Sequence, residues 1–213
     1  MAKPIIRIAK DNNHYLISLD GKVGEYRRVT HMIDSTIRNV GLEKWRQRVG
    51  EEEARRVSEE TSEFGNQVHY VTELIDKGKS KMVDAYLRDH PDMIPYAIEW
   101  EAWKRDYVKK IVAIETVVWS RKWRVAGKID RVLLMKGDRR YAIGDIKTGT
   151  LHDEIGIQIR GAYRSMYNAL YSPKVDRTFA ISMARKDFNG VKVKEYSGEE
   201  YQRKFEAILK LSE

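Results

Sequence analysis

Asp130, Asp145 and Lys147 are the residues whose types and spacing could do chemistry. They lie in Val125 to Thr150, VAGKIDRVLLMKGDRRYAIGDIKTGT, around a Gly137-Asp138 pair. Gly-Asp fits the centre of a two-residue hairpin loop. A hairpin turning there sets Asp130 directly opposite Asp145, and facing residues of an antiparallel pair have Cβ atoms about 4.5–5.5 Å apart. Strand alternation puts Lys147 on the face of Asp145, and Lys128 and Val132 on the face of Asp130. Facing carboxylates repel. The arrangement makes sense around a hard divalent cation, because Mg²⁺ and Mn²⁺ favour oxygen ligands and bridge to phosphate oxygens. Such an ion acidifies a bound water and offsets charge on a phosphoryl transition state. Lys147 could orient or deprotonate that water, or stabilise the developing charge. The competing reading is a surface hairpin, with Asp130 paired to Arg131 or Lys128 and Asp145 to Lys147.

The elements that must position these residues follow from periodicity. Pro4 to Ala9, His14 to Leu19 and Val23 to Val29 are strand-like, with a tight turn at Asp20-Gly21. Thr30 is a plausible N-cap of a helix that Gly41 ends; Leu42 to Val49, Glu51 to Glu60 and Phe64 to Lys77 read as three more, the last closed by Gly78. Pro91 breaks the chain, and Tyr96 to Ile111 is an aromatic-rich helix whose Trp100, Trp103 and Tyr107 form a core stripe. Ile111 to Ser120, Trp123 to Met135 and Arg140 to Thr148 then read as strands. A helix from Asp153 to Tyr171, strands at Thr178 to Met183 and Val191 to Tyr196, and a helix capped by Ser197 complete the chain. The order predicts an α/β domain with a mixed sheet flanked by helices.

The chain has 213 residues, 42% of them hydrophobic, which suits a single domain over 1–213. Residues 1–110 form an N-terminal hairpin and helical part, and 111–213 the sheet and its flanking helices. With no Cys there is no disulfide, cysteine zinc site, iron–sulfur cluster or thiol nucleophile. No apolar run is long enough to cross a bilayer, and the N-terminus has neither a secretory nor a transit pattern, so an intracellular, cytoplasmic protein is expected. Lys plus Arg number 40 against 32 Asp plus Glu, a net charge of +8, which points weakly to a polyanion.

Around these residues the sequence resembles the PD-(D/E)XK nuclease superfamily in its RecB-type branch, which includes phage exonucleases and the mitochondrial genome maintenance exonuclease. Gly127-Lys128-Ile129-Asp130 looks like the family's G-x-x-D motif, and Gly144-Asp145-Ile146-Lys147-Thr148-Gly149 like its D-x-K-T-G motif. Gly65 to His69 with Glu73 is similar to the G-x-x-x-H-x-x-x-E helix, and Gln158 with Ala162-Tyr163 to the Q…Y helix. Leu42 to Trp45, after Val29-Thr30, resembles the helical part of phage-type members, so the likeness spans roughly Val29 to Leu170.

The resemblance implies a restriction-endonuclease-like fold and a metal-dependent deoxyribonuclease, phage-encoded in its nearest likeness. His69, Asp130, Asp145 and the backbone carbonyl of Ile146 would hold Mg²⁺ or Mn²⁺. Lys147 would be the catalytic lysine, and Gln158 and Tyr163 would orient the site or contact the nucleic-acid backbone. One departure stands out. The family spacing is Q-x-x-x-Y, but Gln158 and Tyr163 are five apart, about 140° around an α-helix, so at most one should point squarely at the site. Glu73, one turn after His69, could hold the imidazole tautomer or be a solvated charge. Glu115 is a further candidate for such support. Gly65 leaves room for another backbone or a strand of DNA.

Arg121, Lys122 and Arg124, interleaved with Trp119 and Trp123, suggest phosphate neutralisation with base stacking. Alternatively the Trp residues face the core. Further basic pairs include Arg185-Lys186. The function expected is hydrolysis of DNA phosphodiester bonds, as an exonuclease on single strands or DNA ends. A non-catalytic nucleic-acid-binding protein of the same fold and a structure-selective endonuclease are the alternatives.

Overall fold

The computed structural model describes residues 5–8 (backbone only), 13–19, 22–185 and 188–212. Pro4, Ala9, the Asp20-Gly21 turn and Lys186 lie outside the described residues. Eight strands form one mixed sheet: β1 (Ile5–Ile8), β2 (His14–Leu19), β3 (Lys22–Arg28), β4 (Val108–Ser120), β5 (Val125–Met135), β6 (Tyr141–Lys147), β7 (Val175–Ser182) and β8 (Lys192–Glu195). The helices are α1 (Val29–Thr36), α2 (Val40–Val49), α3 (Glu51–Asp76), α4 (Ser80–Asp89), α5 (Ile94–Tyr107), α6 (Asp153–Gly156), α7 (Arg164–Leu170) and α8 (Glu200–Leu211). The expected mixed α/β architecture is therefore present. Among the described residues no helix is long and apolar enough to cross a membrane.

Strand alternation divides the core. Val132 and Ile143 pack with α1, α7 and α8 in one cluster. Their neighbours Leu133 and Ala142 pack with Phe64 and Val68 of α3 and Trp100 and Trp103 of α5 in another. Tyr107, expected in the same stripe, is 57% exposed, because α5 ends there and the chain turns into β4.

Several boundaries differ from the sequence expectation. Gly41 does not end a helix; Asn39 starts α2 by accepting the Leu42 N–H on its side chain, and Gly41 lies inside the first turn. Glu51–Asp76 is one helix of 26 residues, not two, with no Gly or Pro between Glu60 and Phe64 to interrupt it. Gly78 does take the expected left-handed conformation, at φ 65°, with Lys79 N–H reaching Leu74 O. Ser197 caps nothing; α8 begins at Glu200 with no side-chain cap.

The central hairpin keeps its expected register but not its two-residue loop. Arg131 faces Gly144 and Leu134 faces Tyr141, which leaves residues 136–140 in the connection. Gly137 supplies the left-handed step, at φ 75°. Asp138 accepts the Arg139 and Arg140 N–H groups at 2.7 and 3.0 Å, and Arg177 donates to its other oxygen at 2.5 Å.

Beyond Arg131 the two strands part. β4 runs along one edge of β5, from Ser120↔Val125 to Val108↔Met135. The other edge is divided: β3 pairs in parallel with Val125 and Ala126, and β6 takes Arg131 to Leu134. Between them Gly127 to Asp130 has no strand partner on that edge among the described residues. Asp130 is thus not a ladder partner of Asp145. Its Oδ2 instead accepts the Ile146 N–H at 2.7 Å, so a side chain replaces the ladder bond where the sheet forks.

Arg131 fastens the fork to the helical layer. It is fully buried, and Nε donates to the equally buried Asp76 carboxylate of α3 at 2.5 Å. Its other donors reach Thr72 and Glu115 side chains and the Asp130 carbonyl. Removing one partner of a buried pair strands the other charge. Arg131→Met should cost about 3–5 kcal/mol in urea unfolding, and adding Asp76→Leu should recover part of it.

The Arg140 backbone N–H, the Arg177 guanidinium and the Arg139 N–H hold the Asp138 carboxyl well below the usual carboxylate range. A depressed folded-state pKa contributes stability that is present above the unfolded value and lost as pH falls through the folded one. Asp138→Ala should therefore lower the melting temperature at pH 7, with the gap narrowing steadily as the pH is taken below 4.

Candidate active site

The fork brings the expected residues into one region, though among the described residues the ligand atoms that converge within 4.8 Å are those of His69, Asp130 and Glu115, without Asp145. Asp130 and Asp145 are 6% and 2% exposed. Burial pushes the Asp145 carboxyl up to about 6, against the pull of the Lys147 ammonium, and Asp130 adds repulsion. Lys147 Nζ lies 2.6 Å from Asp145 Oδ2. That ammonium is the charge partner of the Asp145 carboxylate. Two desolvated carboxylates side by side, with only one ammonium between them and solvent, are a donor set suited to a hard cation.

His69 comes in from α3. Its Nδ1 lies 3.6 Å from Asp130 Oδ1. Gly65, one turn earlier, permits this approach: a Cβ there would stand 3.2 Å from Thr148 Oγ1, just past Lys147. Glu73 does not support His69; its carboxylate pairs with Lys77 on the same helix. The third group near His69 and Asp130 is Glu115 of β4, and the three offer ligand atoms all within 4.8 Å of one another. In sequence Glu115 is only an acid ahead of an apolar strand, and its place beside the site comes from the β4–β5 register. Ile146, expected to contribute its carbonyl, has its side chain in the core and its N–H on Asp130.

Gln158 and Tyr163 correct the helical-wheel expectation. Residues Ile157–Tyr163 form a π-helix between α6 and α7, with the Arg164 N–H reaching back five residues to Ile159 O. A wider turn puts residues five apart on one side. Both side chains therefore face the site, where Gln158 Nε2 donates to Tyr163 Oη at 3.1 Å. Lys147 Nζ in turn donates to Gln158 Oε1 at 3.4 Å. Burial and the neighbouring carboxylates hold the Tyr163 hydroxyl far above its usual pKa, so it stays a neutral donor and acceptor. Burial works against the charge of Lys147, but Asp145 and Asp130 outweigh it and keep the ammonium protonated.

The basic turn is placed elsewhere. Arg121, Lys122 and Arg124 cap the β4–β5 connection, and Arg124 lies over the Tyr26 ring at 5.3 Å. Trp119 is buried and packs edge-on against Tyr171, so it offers no stacking surface, while Trp123 is partly buried, edge-on to Phe205. Lys147 and Gln158 line a cleft of about 770 Å³ together with Arg38, Arg46, Asp34 and Glu43.

No family model matches the chain, and no curated protein matches it. Among solved structures it is similar to a crystal structure named "Putative exonuclease" from Eubacterium rectale, with TM-score 0.41 and 12% identity. The match takes in 68% of this chain and 64% of that one, so it spans less than two thirds of that protein.

Tyr163 also explains the first residue of the G-x-x-D segment. A Cβ at Gly127 would stand 2.3 Å from the Tyr163 ring. Gly127→Ala should destabilise by about 1–3 kcal/mol through overpacking. In a Tyr163→Leu background the same substitution should cost less, as read by paired thermal melts.

Proposed function

We propose that the protein is a divalent-metal-dependent nuclease of the PD-(D/E)XK type, RecB-like, that hydrolyses DNA phosphodiester bonds as an exonuclease on single strands or DNA ends. The observation that carries this reading is the pair of buried carboxylates, Asp130 and Asp145, with the Lys147 ammonium 2.6 Å from Asp145 Oδ2, at the fork of the sheet. His69, Asp130, Asp145 and the Ile146 carbonyl would hold Mg²⁺ or Mn²⁺. When bound, the ion supplies Lewis acidity toward the phosphate and lowers the pKa of a coordinated water.

The chain's own residues do the rest. Lys147 enters as a cation, since its carboxylate neighbours hold the proton on it. It donates to the non-bridging oxygens as charge grows there, which favours the transition state over the bound substrate. Gln158 fixes the ammonium from the side away from Asp145, and Tyr163 fixes Gln158. Arg46 also lines the cleft and suits a phosphate of an entering strand, whereas Arg38 is paired with Glu43.

The test is a time course on end-labelled linear and circular single strands with Mg²⁺ or Mn²⁺. Linear DNA should be consumed from its ends, EDTA should stop the reaction, and circles should survive. Lys147→Met should lower the rate by about 10²–10³ while leaving the protein folded. Cutting of circles would make the enzyme an endonuclease. Salt-sensitive DNA binding with no metal-dependent cleavage would leave a binding protein, and unchanged cleavage by Lys147→Met would refute the mechanism.

A further inference from the structure

Glu115 occupies a position that a regular strand residue does not need. Its neighbours Ile114 and Thr116 pair with Arg131 and Ile129, which sets Glu115 opposite Asp130 across the β4–β5 ladder. Its backbone is left-handed, at φ 50°, a conformation that costs a non-glycine residue about 1–2 kcal/mol. The carboxylate is shared between two cations. One oxygen lies 3.3 Å from buried Arg131 Nη1, and the other is in contact with Lys128 Nζ. Glu115 thus reaches both the anchored guanidinium and a half-exposed ammonium, while its ligand atom stays within 4.8 Å of those of His69 and Asp130. Asp145, 2% exposed, adds a second buried carboxylate that repels Asp130.

We propose that Glu115 is a ligand of the divalent ion together with His69 and Asp130, and that the Lys128 ammonium is the built-in occupant that the ion displaces. This rests on the metal-dependent reading of the site given above. The chemistry favours the exchange. An ammonium brings one charge and directional hydrogen bonds to a single carboxylate, whereas a divalent ion takes oxygens from several at once and tolerates an imidazole. Arg131 is locked by Asp76 and stays behind, which holds Glu115 in place as Lys128 leaves. Lys128 is free to leave, since its side chain is already 44% exposed.

The experiment is a Mn²⁺ titration of the full chain followed by electron paramagnetic resonance of the free ion, with thermal melts to confirm folding. It uses the parent, Asp130→Asn, Glu115→Gln, Lys128→Met and the Glu115→Gln, Lys128→Met double variant. Asp130→Asn should abolish binding, and Glu115→Gln should weaken it by about tenfold or more. Lys128→Met should tighten binding several-fold, and that gain should vanish when Glu115 is already Gln. If Glu115→Gln binds like the parent while Asp130→Asn does not, the assignment of Glu115 fails and the nuclease reading stands. If Lys128→Met leaves binding unchanged, or tightens it equally in both backgrounds, Lys128 is not the occupant. A parent that binds no Mn²⁺ overturns both. Should Glu115→Gln not fold, Lys128→Met alone decides: no tightening defeats the proposal.

Discussion

The buried ion pair between Arg131 and Asp76 is the constraint on which the site depends. Its two side chains are wholly removed from water, so each charge relies on the other and on the Thr72, Trp100 and Lys104 groups around them. Asp76 lies two turns beyond His69 on α3, and Arg131 is the residue after Asp130. One interaction therefore fixes the helix that carries the imidazole against the strand that carries the acid. It also claims an oxygen of Glu115 and the Asp130 carbonyl, so the backbone beneath the site is tied as firmly as the side chains.

Holding that strand in place permits the second unusual feature, the division of one edge of β5 between β3 and β6. A continuous hairpin would press the two carboxylates together and bond away the backbone between them. The fork separates the strands at the acids, and Asp130 completes the Ile146 N–H with a side-chain oxygen. The opening is filled from the other side by Tyr163, whose ring lies on Gly127, and through Gln158 that ring is linked to Lys147.

The strands were legible in the sequence wherever alternation met a turn residue. His14–Leu19 and the Arg131–Gly144 register follow from it, the latter because Gly137 needs its left-handed step. The fork was not legible, since nothing in the residue pattern of either strand marks where their pairing stops. The unity of α3 was hidden by its charged, solvated first half, which looks like a helix of its own. The aromatic turn misled in the same way: Trp119 and Trp123 sit among arginines in sequence but point into the core in space. Glu115 acquires meaning only from the strand laid beside it.

The π-helix has a consequence for how such a chain can diverge. Adding one residue to an α-helix rotates everything beyond it by roughly 100°, which would swing α7 off its packing surface. Here the widened turn of Ile157–Tyr163 takes up one residue more than an α-turn would. A helix register that differs by one residue before and after this turn is thereby reconciled without disturbing the core. Any comparison that expects a fixed interval between glutamine and tyrosine will pass over a chain in which the two still touch.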